Sequence, residues 1–181
     1  MAFHNSGELR NYTDITQAFG EDGLLREAKQ RELIHGYYAC VSYIDAQIGK
    51  LLDALEAKDL LQYTMIVLWG DHGWHLGDHG LWNKHSNFEQ ATRSPLIIVD
   101  PDAKKGIQHD SPTEFIDIFP TLCDLTGLEI PKHLQGTSLK PILMGKKKKI
   151  KDFNTFHQFS GFFCFSVHDK GYLQSSFSII S

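Results

Sequence analysis

The longest pattern of apolar positions in this chain predicts a helix. Between positions 24 and 58, apolar residues recur at alternating steps of four and three, at Tyr37, Val41, Ile44, Ile48, Leu51 or Leu52, and Leu55. This spacing puts the side chains on one face of a helix. We therefore predict a long helix over 24–58 and expect its apolar face to pack in the core.

Two short, continuous apolar runs predict strands. They occupy positions 64–69 and 95–99 and contain β-branched residues, which is typical of strands covered on both faces. The order is therefore helix, strand, long loop, strand. Together with a helix predicted after the second strand, it indicates an α/β fold with a parallel or mixed sheet between helices.

The predicted helix after the second strand has recognisable ends. Ser111 can cap it, Pro112 suits its first position, and Glu114 can reach back as in a capping box. Apolar residues then continue at helical spacing, at Phe115, Ile118, Leu122 and Leu125. Gly127 predicts a left-handed stop, and Pro120 predicts a kink.

The two ends of the chain lack such periods. Positions 1–23 are expected to form an arm that leads into the fold, and positions 24–145 form the main body. Positions 146–181 hold a basic run, Lys146 to Lys149, and an atypical aromatic tail with seven of the twelve phenylalanines. We predict a solvated loop at the basic run.

Composition excludes several classes of function. The 181 residues are 41% hydrophobic and 22% charged, with a net charge of −4, as in an ordinary globular domain. No broad basic face is available for nucleic acid. We also expect no membrane span, because no apolar run approaches the roughly 18 residues that a span needs, and no signal peptide, because Met1 to Arg10 lacks the basic-then-apolar pattern of one. The three cysteines are too scattered for a disulfide framework or a zinc site, and we expect them to be mostly buried.

Candidate chemistry is concentrated between positions 69 and 85, which hold all three tryptophans and four of the ten histidines. The segment begins where the first predicted strand ends, the place where sites form in open α/β sheets. Asp71 and His72 offer an oxygen and an imidazole nitrogen to a divalent ion. Lys84 can place a positive charge on an anionic group. The alternative is a glycine-rich surface loop whose histidines are satisfied by local contacts.

The same segment contains the string Asp71-His72-Gly73-Trp74-x-Leu76-Gly77-x-His79-Gly80-x-Trp82-x-Lys84. This string resembles the second signature of the formylglycine-dependent sulfatases, most closely the iduronate-2-sulfatase-like branch. Positions 37–45, 91–97, 117–128 and 135–139 also match, so that the resemblance covers about 26–145. It implies an alkaline-phosphatase-like sandwich of a mainly parallel sheet between helices, represented only in part. Positions 24–145 would be the C-terminal part of the catalytic domain.

The resemblance also implies roles for particular residues. Asp71 and His72 would bind the active-site Ca²⁺, although many sulfatases have asparagine at the second position. Lys84 would contact the sulfate as a catalytic residue. Trp74 and His79 would line the sugar pocket, with a structural role for His79 as the open alternative. For His75 and His85 we expect plain solvent exposure.

The sequence departs from the family at its nucleophile. The family converts a cysteine within Cys-x-Pro-Ser-Arg, or a similar motif, into formylglycine, and Cys40, Cys123 and Cys164 have other neighbours. The other calcium ligands lie in the family's N-terminal half. We therefore expect a segment of a sulfuric ester hydrolase that acts on a sulfated saccharide and is inactive without that missing half. The alternatives are a metal-dependent phosphatase or phosphodiesterase of the same alkaline-phosphatase-like superfamily, in which an adjacent Asp-His pair can bind zinc, and a non-catalytic truncated product. Family members are usually periplasmic, secreted or lysosomal.

Overall fold

The computed structural model describes residues 7–12, 14–103, 106, 108–151, 155–160, 162–167 and 179–180, the last three ranges by their backbone alone. The chain divides into two compact units. One consists of Met1–Tyr63 with Trp74–His85, and the other of Thr64–Gly73 with Ser86–Ser181. The division predicted from sequence, into positions 1–23, 24–145 and 146–181, concerns segments of the chain and not these compact units, and it stays a prediction.

The first unit is built around one long helix and a short hairpin. Its helices are α1 (Gly7–Arg10) and α2 (Glu27–Glu56), and its strands are β2 (His75–Leu76) and β3 (Trp82–Asn83), which pair antiparallel. Short 3-10 turns lie at Thr16–Ala18, Leu61–Tyr63 and Asp78–Gly80. The core combines Leu9, Ile15, Leu25 and Trp82. Part of the predicted arm is therefore buried against the hairpin.

The helix predicted over 24–58 is confirmed, but the burial of its apolar face is wrong. No residue of α2 is buried, and Val41, Ile44 and Leu51 are 51%, 53% and 67% exposed. Periodicity shows which side chains share a face of a helix, but it cannot show whether another element covers that face. Among the described residues, no helix has an apolar stretch long enough to span a bilayer.

The second unit contains the main sheet. Strands β1 (Ile66–Trp69), β4 (Leu96–Val99), β5 (Gln108–His109) and β8 (Ile179–Ile180) lie in the order β1-β4-β8-β5. Helices α3 (Glu89–Thr92), α4 (Ile118–Leu125) and α5 (Lys140–Leu143) belong to the same unit. The core joins Leu96 and Ile98 of β4 to residues of α4 and α5 and their flanks, namely Ile118, Leu139 and Leu143.

The sheet is mixed, in agreement with the α/β class, but its described pairings are not mainly parallel. Strands β1 and β4 pair antiparallel, as do β5 and β8, whereas β4 and β8 pair parallel. Two antiparallel strands can be joined without a crossover helix, whereas two parallel strands usually need one. In addition, β1 is an edge strand of the described sheet, and its successive residues Leu68 and Trp69, which point to opposite faces, are 36% and 50% exposed. The expectation that both faces of β1 are covered is therefore wrong.

The start of α4 also differs from the prediction. The Ser111 hydroxyl accepts the N–H of Ile150, and a 3-10 turn at Phe115–Asp117 precedes α4 instead. The capping box is formed by Glu114, at the N-cap, and Asp117, whose carboxylate accepts a hydrogen bond from the N–H of Glu114 at 2.9 Å. Pro120 lies in the first turn of α4, where a missing N–H costs no intrahelical bond, so no kink is needed. Gly127 follows the helix end with φ of 73°, as predicted.

The C-terminal segment is described mainly by its backbone. Strands β6 (Thr155–Ser160) and β7 (Phe162–Val167) pair antiparallel. The side chains of the predicted aromatic tail, Cys164 among them, lie outside the described residues. Of the other two cysteines, Cys123 is buried as expected, but Cys40 is exposed on α2.

Candidate active site

The segment singled out by sequence begins directly after β1 and is held against α3. The N–H of Gly73 donates to the carbonyl of Ala91 at 2.7 Å. A Cβ atom at Gly73 would lie 2.1 Å from the Gln90 carbonyl oxygen and 2.5 Å from that of Arg93. Only a glycine permits this contact between two backbones. The packing fixes the backbone immediately beside Asp71 and His72.

Asp71 and His72 present their polar atoms to each other. His72 Nε2 lies 3.4 Å from Asp71 Oδ2, and the His72 N–H donates to Asp71 Oδ1 at 3.1 Å. The other ring nitrogen, Nδ1, is 2.8 Å from the Gly73 carbonyl oxygen. A histidine whose Nδ1–H donates to a backbone carbonyl presents Nε2 as the ligand nitrogen, the arrangement usual for metal-binding histidine.

This pair fits part of a divalent-metal site. Two ligands of one ion lie roughly 3 Å apart when each is about 2.1–2.5 Å from it, close to the separation of these two side chains. The Asp71 side chain is 84% exposed and so open to an ion. However, the described residues contain no group of three or more His, Cys, Asp or Glu side chains that could hold a metal. The pair could supply two ligands, and the remaining ligands would have to come from elsewhere.

The hairpin in the first unit places the other candidate residues. A tight turn at Asp78–Gly80 joins β2 to β3, with left-handed φ of 105° at Gly77 and 73° at Gly80. His79 also adopts a positive φ, 58°, and is exposed at the tip of this turn. Its predicted place in a sugar pocket stays a prediction.

Lys84 follows β3 and lies among groups from distant parts of the sequence. Its Nζ is 5.5 Å from the centre of the Trp74 ring and 3.2 Å from Glu8 Oε1. The Trp74 ring stacks on Tyr37 of α2, with ring centres 6.2 Å apart and planes inclined by 30°. An ammonium group therefore sits beside an aromatic platform, and the platform is supported by the long helix.

The neighbouring histidines differ from expectation in different ways. His85 is exposed as predicted, but its Nε2 is also 2.7 Å from Glu8 Oε2. His75 is 1% exposed, so the predicted solvent exposure is wrong. It occupies the first position of β2, where the strand pairing turns its side chain into the unit. Burial lowers the pKa of His75, and it outweighs the nearby Asp78, whose charge would raise the pKa; His79 acts in the same direction as burial.

The predicted residues therefore fall into two groups. Asp71 and His72 meet in the second unit, whereas Trp74 and Lys84 meet in the first. Sequence reasoning missed Glu8 and Tyr37 as neighbours of these residues. Glu8 is separated from Lys84 by 76 positions and lies in a segment without any period, so no local signal could have found it.

Comparisons with known proteins show similarity to sulfatases. A family model described as Sulfatase matches residues 4–128. A curated protein named Sulfatase from Formosa agariphila is 38% identical over 139 residues, which cover 77% of this chain and 27% of that protein. Iduronate 2-sulfatase from Homo sapiens is 37% identical over 127 residues, which cover 56% of this chain and 23% of that protein.

Solved structures are similar as well. One is BT4656 in complex with its substrate D-glucosamine-2-N,6-O-disulfate, with 34% identity and a TM-score of 0.64 over 78% of this chain and 30% of that one. Another is a phosphonate monoester hydrolase from Silicibacter pomeroyi, with 36% identity and a TM-score of 0.58 over 62% of this chain and 22% of that one. The chain thus spans about a quarter of the length of the curated relatives it matches.

Proposed function

Since this chain belongs to the sulfatase family, we propose that it supplies part of an active site that hydrolyses sulfate esters of a saccharide. The observation that carries the proposal is the position of Lys84 beside Trp74, with Nζ 5.5 Å from the ring centre. A sulfated sugar has an apolar ring face and an anionic group close together. Indole and ammonium groups side by side match those two features.

We assign separate tasks to the residues of the two units. Lys84 contacts a sulfate oxygen and offsets the negative charge that grows on the ester oxygens as the S–O bond breaks. Trp74 orients the sugar, and His79, on the exposed turn, is a further contact to it. Asp71 and His72 provide an oxygen and a nitrogen ligand for Ca²⁺, which supplies Lewis-acid polarisation of the sulfate when bound. The formylglycine nucleophile would come from outside these 181 residues.

Exposed apolar surfaces support the proposal that the complete active site needs further parts of the domain. Val41, Ile44 and Leu51 of α2 are at least half exposed, and so is Trp69 at the edge strand β1. Exposed apolar faces and open strand edges of this kind are ordinarily covered in a folded domain. We propose that further elements, corresponding to the N-terminal half of the family's domain, cover them and bring the nucleophile. The 181 residues alone then have no turnover.

A second candidate is a hydrolase of phosphonate or phosphate esters. It is favoured by the similarity to the phosphonate monoester hydrolase of Silicibacter pomeroyi, at 36% identity. An adjacent aspartate and histidine can bind Zn²⁺ as well as Ca²⁺. The third possibility is a non-catalytic product that keeps only part of a site. The choice of metal and of anion separates these candidates.

The first experiment measures binding of methyl sulfate to the 181-residue chain by NMR. We expect methyl sulfate to shift the signals of the Lys84 side chain and the Trp74 indole. Lys84→Gln should weaken binding roughly tenfold, as for a hydrogen bond to a charged group. Lys58→Gln is the matched control, because Lys58 is an exposed lysine of the same unit. Equal weakening by both variants, or no shift at Lys84, would contradict the proposal.

The second experiment compares Ca²⁺ with Zn²⁺ by calorimetry. A sulfatase site predicts weak Ca²⁺ binding that Asp71→Asn abolishes, since the carboxylate is the hard ligand. Tight Zn²⁺ binding that depends on His72 and is undisturbed by excess Ca²⁺ would favour the phosphatase candidate. Turnover of an aryl sulfate by this chain with added Ca²⁺ would refute the statement that the nucleophile lies elsewhere.

A further inference from the structure

A single carboxylate contacts two neighbouring side chains of the candidate site. Glu8 Oε1 lies 3.2 Å from Lys84 Nζ, and Glu8 Oε2 lies 2.7 Å from His85 Nε2. The three side chains are about 30% exposed, so water screens them only in part. Glu8 comes from α1, far from the hairpin in sequence, and it belongs to none of the motifs that predicted the candidate residues.

Glu8 is negatively charged at neutral pH. Partial burial by itself would raise the pKa of this carboxyl group, but the hydrogen bonds from Lys84 and His85 outweigh burial and lower it. The ammonium of Lys84 therefore never acts as an isolated positive charge. Any anion that binds Lys84 also meets the negative field of Glu8.

We propose that Glu8 makes the Lys84 site selective for esters that carry one negative charge, such as sulfate monoesters, over esters that carry two, such as phosphate monoesters. The proposal rests on the proposed function, in which Lys84 contacts the anionic group of the ester. Both ester types are tetrahedral and similar in size, so shape alone separates them poorly. Charge is the property that differs, and Glu8 responds to charge.

The geometry sets the size of the effect. Two oxygens bound to one ammonium at a tetrahedral angle, one of them Glu8 Oε1 at 3.2 Å and the other at about 2.9 Å, lie about 5 Å apart. At that distance, and with the dielectric of water, each unit of negative charge on the ester loses about fourfold in affinity to Glu8. The dianion therefore loses about fourfold more than the monoanion, and more if the local dielectric is lower.

The ratio of two affinities separates this role from a merely structural one. If Glu8 only held Lys84 in position, its removal would weaken the dianion at least as much as the monoanion, so the ratio of phosphate to sulfate affinity would stay level or fall. If Glu8 selects by charge, its removal changes the ratio in favour of the dianion, whatever happens to the absolute affinities. The ratio is thus the decisive readout.

The experiment titrates the 181-residue chain with methyl sulfate and with methyl phosphate at a pH where the phosphate is dianionic. Glu8→Gln should raise the ratio of phosphate to sulfate affinity about fourfold. Glu8→Asp, which keeps the charge, should leave the ratio near that of the wild type. Asp14→Asn is the matched control, because Asp14 is a carboxylate of the same unit that pairs with Lys29 at 2.7 Å. If Glu8→Gln does not fold, Glu8→Met offers a second way to remove the charge.

The outcomes distinguish the two proposals. A ratio that rises in Glu8→Gln or Glu8→Met, and in neither Glu8→Asp nor Asp14→Asn, supports selection by charge. A ratio that stays unchanged or falls in Glu8→Gln overturns it while Lys84 stays an anion-binding residue. If Lys84→Gln has no effect on either ligand in the wild-type background, the proposed role of Lys84 fails and selection by Glu8 fails with it.

Discussion

Replacing Gly73 by alanine should disrupt the loop that carries Asp71 and His72. The added Cβ would lie 2.1 Å from the Gln90 carbonyl oxygen, whereas an ordinary contact is 3.4 Å or more. The neighbouring atoms belong to the backbone of Gln90 in α3 and of Arg93 at its C-cap, and they cannot rotate away as a side chain could. The loop must therefore move by more than an ångström.

The energetic cost has two parts. Moving the loop breaks the hydrogen bond from the Gly73 N–H to the Ala91 carbonyl, which contributes about 1 kcal/mol. Forcing a methyl group into packed surroundings costs about 1–3 kcal/mol. We expect the free energy of unfolding of the second unit to fall by about 2–4 kcal/mol, taking the two contributions together.

Urea denaturation followed by NMR measures this loss for each unit separately, because a chain of two units need not unfold in one step. Gly36→Ala is the matched control. Gly36 lies within α2, an added Cβ there meets nothing within 4 Å, and alanine favours the helix. Gly36→Ala should therefore be neutral or stabilising by up to about 1 kcal/mol. A change within about 0.5 kcal/mol of the wild type for Gly73→Ala would refute the steric argument.

Three further predictions concern stability and association. Burial lowers the pKa of His75 below its ordinary 6.5, so the unfolded chain takes up a proton before the folded chain does. The contribution of neutral His75 to stability should be fully present above about pH 6.5 and should be lost as the pH falls through the lowered pKa of the folded state. The urea midpoint of the wild type should therefore fall more steeply with decreasing pH in this range than the midpoint of His75→Gln. Asp117 is fully buried and pairs with Lys151 at 2.7 Å, so Asp117→Asn should cost about 3 kcal/mol in thermal unfolding, against less than about 1 kcal/mol for the more exposed Asp124→Asn. Leu51 is 67% exposed, so Leu51→Ser should change the free energy of unfolding by less than about 0.5 kcal/mol while it reduces self-association in sedimentation.

Local patterns predicted the elements well where each element depends on its own residues. The apolar spacing predicted α2, and the short apolar runs predicted β1 and β4. Gly127 ends α4 with a left-handed φ, since that conformation is a property of the residue itself. The start of α4 was less predictable, because the predicted cap depends on a distant partner. Ser111 bonds to Ile150 instead, a partner 39 positions away.

The sequence by itself therefore determined the α/β class, the positions of the main elements and the segment that holds the candidate chemistry. It also determined membership of the sulfatase family, because the family's motifs can be read directly from the order of the residues. Only the tertiary structure decided that His75 is buried, that the α2 face is exposed and that Glu8 reaches Lys84 and His85. The physical reason is that burial and ion pairing depend on which distant segments meet. Which segments come into contact is determined by packing over the whole unit and cannot be read from the spacing of residues along the sequence.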